Sequence, residues 1–139
     1  MRNPVDLYKV YQLIAPQLAT ATVTGTGVQF TPGNDSKTDA FAIVNTGAVA
    51  GTPTSFTVVF TIEQSATQGG TYTVTDTFAT GTTASQRSAR ACTLDNSKPW
   101  VRAKATIAFV DGTTPSVAIS ANIFVKQNNA STSNNSALS

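Results

Sequence analysis

Ser55-Phe56-Thr57-Val58-Val59-Phe60-Thr61-Ile62-Glu63-Gln64-Ser65 is the stretch that decides the fold. Phe56, Val58, Phe60 and Ile62 fall on one side of an extended chain, with Thr57, Val59, Thr61 and Glu63 on the other. Successive side chains of a strand point to opposite faces, so this alternation predicts a strand with one buried face. Gln68-Gly69-Gly70 follows as a turn, where glycine permits positive φ. Residues 71–78 then return, with Tyr72, Val74 and Phe78 on one face and Thr71, Thr73, Thr75 and Thr77 opposite. The two segments predict a hairpin.

The same period continues outward. In residues 100–110, Val101, Ala103, Ala105, Ile107 and Phe109 share a face against Trp100, Arg102, Lys104 and Thr106. Asp111-Gly112-Thr113-Thr114-Pro115 turns the chain. In residues 116–125, Val117, Ile119, Ala121, Ile123 and Val125 oppose Ser116, Ala118, Ser120, Asn122 and Phe124. Toward the N-terminus, residues 40–45 read as a short strand ended by Thr46-Gly47, and Thr31-Pro32-Gly33-Asn34-Asp35 as a turn. Residues 19–30 alternate small residues with Thr20, Thr22, Thr24 and Thr26, and residues 87–94 give a weaker strand. Short β-branched segments between regular turns predict an all-β fold. It is an antiparallel sandwich or barrel of about seven strands over residues 19–125.

The two ends differ from this body. In residues 1–18, Val5, Tyr8, Leu13 and Leu18 recur with Val10, Tyr11 and Ile14 between them. That spacing predicts a short helix, capped by Asn3 or Asp6 and ended or kinked at Pro16. It packs on its own domain or serves as an arm that docks on a neighbouring subunit. The partner-binding candidates on it are Val5, Leu7, Tyr8, Val10, Tyr11, Leu13, Ile14 and Leu18. Residues 126–139 form a polar, low-complexity tail with nothing to pack, either unstructured or ordered by a partner surface.

Composition narrows the chemistry. The chain of 139 residues has no His, one Cys, 12% charged residues and a net charge of +2. Without His, the usual general base and the Ser-His and Cys-His nucleophile pairs are missing. Lone Cys92 makes no internal disulfide and reads as a small buried hydrophobe. The acids Asp6, Asp35, Asp39, Glu63, Asp76, Asp95 and Asp111 show no paired spacing. The loop at Asn34-Asp35-Ser36 with Asp39 is a solvated turn rather than a calcium site, which wants six to eight oxygens. Glu63 with Arg102 or Lys104 makes a cross-strand surface ion pair worth ~1 kcal/mol at most. Gly25-Thr26-Gly27 and Gly69-Gly70 lack the Lys-Ser/Thr of a phosphate loop. These features point away from an enzyme, and no cofactor or metal is expected.

Partners are bounded in the same way. Four Arg and five Lys are scattered, so no basic footprint for nucleic acid forms. No apolar run approaches the ~20 residues of a membrane span, and mean hydropathy is -0.03. Pro4, Asp6 and Lys9 interrupt any secretory leader, which leaves little weight for the sequons at Asn34, Asn129 and Asn134. Few charges leave strand edges poorly guarded, so some edges are expected to be covered by other chains. Trp100, beside Pro99, reads as core or interface.

Several segments together resemble a group of small structural proteins of tailed-phage virions. They are Ile14-Ala15-Pro16 followed by Ala21-Thr22-Val23-Thr24-Gly25-Thr26-Gly27-Val28, then Asp39-Ala40-Phe41-Ala42-Ile43-Val44-Asn45-Thr46-Gly47-Ala48. Phe60-Thr61-Ile62-Glu63-Gln64-Ser65, Thr71-Tyr72-Thr73 and Trp100-Val101-Arg102-Ala103-Lys104-Ala105-Thr106 complete the set. The group's acidic Asp-Asp-Gly turn is replaced here by Ala66-Thr67-Gln68-Gly69-Gly70, and residues 127–139 look particular to this chain. The resemblance implies a virion protein that decorates a capsid, made in the host cytoplasm and carried on the shell surface. Its expected partners are the major capsid protein and itself, as a homo-oligomer with a trimer preferred on shell geometry. Rival readings are a tail or head–tail connector component, and a carbohydrate- or receptor-binding module using Trp100, Tyr72 and Phe124.

Overall fold

The computed structural model describes residues 8–30 and 35–127, with the backbone alone at 35–39 and 127. Val5 and Leu7, the helix caps Asn3 and Asp6, the turn at 31–34, the side chains of the Asn34–Asp39 loop and the tail from 128 onward lie outside that description.

The described residues form nine strands: β1 (Tyr8–Ala19), β2 (Val23–Thr24), β3 (Val28–Gln29), β4 (Asp35–Ala50), β5 (Ser55–Ser65), β6 (Thr73–Thr77), β7 (Gln86–Cys92), β8 (Trp100–Val110) and β9 (Ser116–Gln127). All pairings are antiparallel. A front sheet has the order β1-β9-β4-β7, and a back sheet the order β2-β8-β5-β6, with β3 also on β8. β2 and β3 follow one another along the same edge of β8, interrupted at Gly25-Thr26-Gly27. Counted as one strand, they give two four-stranded sheets whose strands alternate between layers in chain order except at the β5–β6 hairpin. That is the jelly-roll arrangement of the β-sandwich.

The connections explain why the layers are locked. Of the links between successive strands outside the β2–β3 interruption, only β5–β6 is a hairpin; every other one crosses between sheets. The turn at 111–115 therefore does not bring β9 back beside β8, but carries it into the front sheet. The β4–β5 crossing does the same in reverse, and the two interlock. Thr113 N–H donates to Gly51 O at 2.8 Å, and Thr54 N–H to Val110 O at 2.8 Å. Gly51 and Gly112 sit at φ +81° and +95°, and a Cβ on either would press into the other arch's backbone. Glycine is required at both for conformation and for clearance.

The core is where the alternation placed it. Phe56, Val58, Phe60 and Ile62 of β5, Val101, Ala103, Ala105 and Ile107 of β8, and Val117, Ile119, Ala121, Ile123 and Val125 of β9 are all buried. Ala40, Ala42 and Val44 of β4 complete the front layer. Phe30, Leu94 and Phe78 close the sandwich from loop positions or beside strand ends.

Three expectations need correction. From Tyr8 onward the N-terminal segment is not a helix: β1 is a strand, and the described residues contain no helix at all. It pairs with β9 from Tyr8↔Lys126 to Ala19↔Val117, with register shifts between Gln12 and Ile14 and between Ile14 and Gln17. A bulge inserts an extra residue and shifts the strand's alternation. Two of them turn period two into the irregular spacing that imitates a helix, and bury Leu13 and Ile14 side by side. Pro16 lies within the second shift, on an edge strand, where its missing N–H breaks no ladder. Secondly, the strand count is higher than about seven, because β1 joins the sheet and the first edge of the back sheet is split. Thirdly, the Thr row of residues 71–77 is broken. A register shift between Ile62 and Glu63 pairs Ile62 with Asp76 but Glu63 with Val74. Thr73 and Thr75 consequently turn toward Gln64, and Phe78 goes into the core.

Candidate docking face

The outer face of the front sheet collects apolar side chains from all four of its strands. The register places Val10, Phe124, Phe41 and Ala91 in one row across β1, β9, β4 and β7. The next row holds Gln12, Asn122, Ile43 and Ala89. Phe41 and Phe124 stack with ring centroids 4.8 Å apart at 4°, and Tyr8 meets Phe41 edge-on at 5.6 Å. Such a pair is worth ~1 kcal/mol beyond the area it buries. The rings remain half-exposed, while Val10 is 53% exposed and Tyr8 39%. Beyond a polar middle of Asn45 and Ser120, hydrogen-bonded at 3.2 Å, the far end of the face carries Leu18, 70% exposed opposite Ala118.

Each strand supplies its part for a local reason. β4 and β9 are central strands; their inner positions take small or branched residues, and their outer ones place Phe41 and Ile43 beside Phe124 and Asn122. β1 turns Tyr8 and Val10 outward because the first bulge lies beyond them, after Gln12. β7 contributes Ala89 and Ala91, small enough to leave the rings accessible at that edge.

Of the partner-binding candidates from the sequence, Tyr8, Val10 and Leu18 lie on this face. Tyr11 points the other way, pairs with Ile123 and packs against the core, with Lys9 Nζ over its ring at 4.8 Å. Leu13 and Ile14 are core residues; they also line a cleft of about 390 Å³ between β1 and the split β2–β3 edge. Sequence reasoning missed Phe41 and Ile43 as face residues. The alternation in residues 40–45 marks them as facing away from Ala40, Ala42 and Val44, but only the register joins them to Phe124 and Tyr8.

The outer face of the back sheet is built differently. Arg102 Nε donates to Glu63 Oε2 at 2.7 Å across β8 and β5, and the guanidinium lies over the Tyr72 ring at 3.9 Å. The carboxylate is nearly buried, so this is not the surface pair that the sequence suggests. The Tyr72 ring covers one face of the guanidinium, while the pair stays partly open to solvent on the Arg102 side. Behind it, Gln64 is buried and fully bonded. Its Nε2 donates to Asp95 O at 3.2 Å and Lys98 O at 2.9 Å, and its Oε1 accepts from Asp95 N–H at 3.0 Å and Thr75 Oγ1 at 3.1 Å. Gln64 therefore staples the β7–β8 connection to the back sheet.

The reactive groups are quiet. Cys92 is buried, and burial, with the Asp76 carboxylate beside it, pushes the thiol up to about 12. Asp76 itself accepts from Arg90 Nε at 3.2 Å. Among the described residues no group of three or more His, Cys, Asp or Glu is placed to hold a metal ion. Trp100, Tyr72 and Phe124, the aromatic set of the carbohydrate reading, do not come together. Trp100 and Tyr72 are on the back sheet, and Phe124 is on the front. Comparison with known protein families, curated proteins and solved structures finds no match for this chain.

Proposed function

We propose that this chain is a structural, non-enzymatic virion protein that decorates a phage capsid, and that the outer face of the front sheet is its docking surface. The observation that carries the reading is the apolar row Val10–Phe124–Phe41–Ala91 with Tyr8 beside it. A contiguous apolar patch on an otherwise Thr-rich, weakly charged surface marks a place where another protein sits. The resemblance of the sequence to virion structural proteins supplies the class of partner, the major capsid protein. Jelly rolls serve as capsid domains and as lectins alike, so the fold is compatible with the reading without selecting it.

In this proposal the free N-terminal arm gives way to a strand. β1 is fixed in the sheet from Tyr8 onward, and its outward residues Tyr8, Val10 and Leu18 act together with Phe41 and Phe124. Binding across neighbouring subunits of the assembled shell, and not to free subunits, stabilises the shell by mass action. Self-association on the shell belongs to the same proposal.

The test is attachment to the particle. Cryo-EM of virions carrying the chain is expected to show copies at every equivalent shell position, with the front sheet against the capsid. Copies confined to one vertex or to the tail overturn the decoration reading in favour of a connector or tail component. Tyr8→Ser with Phe124→Ser is expected to abolish retention on purified particles while the variant stays folded. Retention unchanged in that variant overturns the assigned face.

A further inference from the structure

The two sheets have four edges, and three of them are blunted. β1 carries two register shifts and Pro16. The β2–β3 edge is split into two-residue pieces around Gly25-Thr26-Gly27. β6 is five residues long and its pairing with β5 is shifted at Glu63. Each of these devices prevents another strand from adding to the sheet.

β7 has none of them. It runs seven residues in unbroken register with β4, from Ala40↔Cys92 to Thr46↔Gln86, without proline or glycine. All of its residues except Cys92 are exposed. We infer that β7 is a pairing edge, and that its occupant is the β7 strand of a second copy of this chain, added antiparallel across a twofold axis at Ala89.

Two arguments select a second copy and this register. Head-to-tail addition needs a second, different edge that is also open, and no other edge of the described sheets is; an isologous pair needs only one. The charges then choose the register. A twofold that continues both sandwich layers must pair residues of matching face. Centring on Arg87 or Arg90 sets two guanidinium groups directly opposite each other. Centring on Ala89 instead opposes Arg87 to Ala91, Ser88 to Arg90 and Ala89 to itself, and uses the whole strand. Arg90 is already engaged by Asp76 at 3.2 Å, which leaves small side chains around the axis. Main-chain hydrogen bonds supply the attraction, as in other strand-addition complexes. The product is a continuous eight-stranded front sheet with the two apolar faces on the same side. This inference does not depend on the capsid reading.

The experiment is the solution mass of the full chain by light scattering over a range of concentrations, with three variants. The wild type is expected to approach dimer mass as concentration rises. Ala89→Arg, an exposed position, is expected to reduce it to monomer mass with an unchanged circular dichroism spectrum. Ala89→Cys is expected to form an intermolecular disulfide under mild oxidation, whereas Gln17→Cys on the β1 edge is not. A monomer at every concentration, a trimer, or a dimer that survives Ala89→Arg overturns the inference. Cross-linking through Gln17→Cys in place of Ala89→Cys overturns it as well.

Discussion

The back sheet and the outer face of the front sheet solve opposite problems with the same architecture. On the back sheet, charge and amide groups are gathered under cover: on its outer face Glu63 is flanked by Arg102 and Tyr72, and on its inner face Gln64 spends all its hydrogen bonds on the 95–98 loop and Thr75. On the front sheet, apolar rings are left partly in water, with Lys126, Gln12 and Asn122 in the neighbouring rows. A monomeric domain commonly does the reverse, keeping ions wet and rings dry. The difference separates what holds the fold from what is available to a partner.

That separation is breakable by mutation, and the largest effect belongs to the covered side. Gln64→Ala strands the Asp95 N–H and two loop carbonyls, and is expected to cost on the order of 3 kcal/mol in urea unfolding. Arg102→Ala leaves a nearly buried carboxylate without its cation; because the pair is partly open to solvent, the expected loss is about 1–2 kcal/mol. If either variant is as stable as the wild type, the back sheet is not structural in the sense argued above.

On the front sheet, expected stability losses are small. Phe124→Ala removes the stacking partner of Phe41 and is expected to cost about 1 kcal/mol, with the coupling to Phe41→Ala readable in a double-mutant cycle. Val10→Ser is expected to fall within about 0.5 kcal/mol of wild type. A front-face variant as damaging as Gln64→Ala would erase the distinction.

One effect appears only at alkaline pH, as a slope. The folded Cys92 thiol keeps its proton to about 12 against an ordinary 9.0. The unfolded chain loses that proton first, so stability contributed here is whole below about 9 and declines as pH rises toward 12. The difference in urea midpoint between wild type and Cys92→Ala is expected to shift against the wild type over that window, and a parallel pair of curves would refute it.

How much of this was legible in the sequence depends on whether a segment keeps its period. β5, β8 and β9 alternate without interruption along their buried faces, and their inner residues were readable one by one. β1 was not, because two bulges convert its alternation into spacing that resembles a helix turn. The face of β6 was misread for the same reason, at one bulge. Turn chemistry gave the position of the break at Asp111–Pro115 but not its destination, since crossing to the other sheet depends on the interlock with Gly51, some sixty residues earlier. The candidate docking face was half visible. Tyr8, Val10 and Leu18 stood out locally, whereas Phe41 joins Phe124 only through a pairing between distant strands.

The position of β9 has a consequence for how the chain is made. β9 lies between β1 and β4, and among the described residues β1 has no other neighbour in its sheet. A nascent chain with β1 through β8 already outside the ribosome still holds its first strand without a partner. The front sheet closes only when residues 116–127 emerge, so the layer that would meet a partner is assembled last, after translation of the strand at its centre.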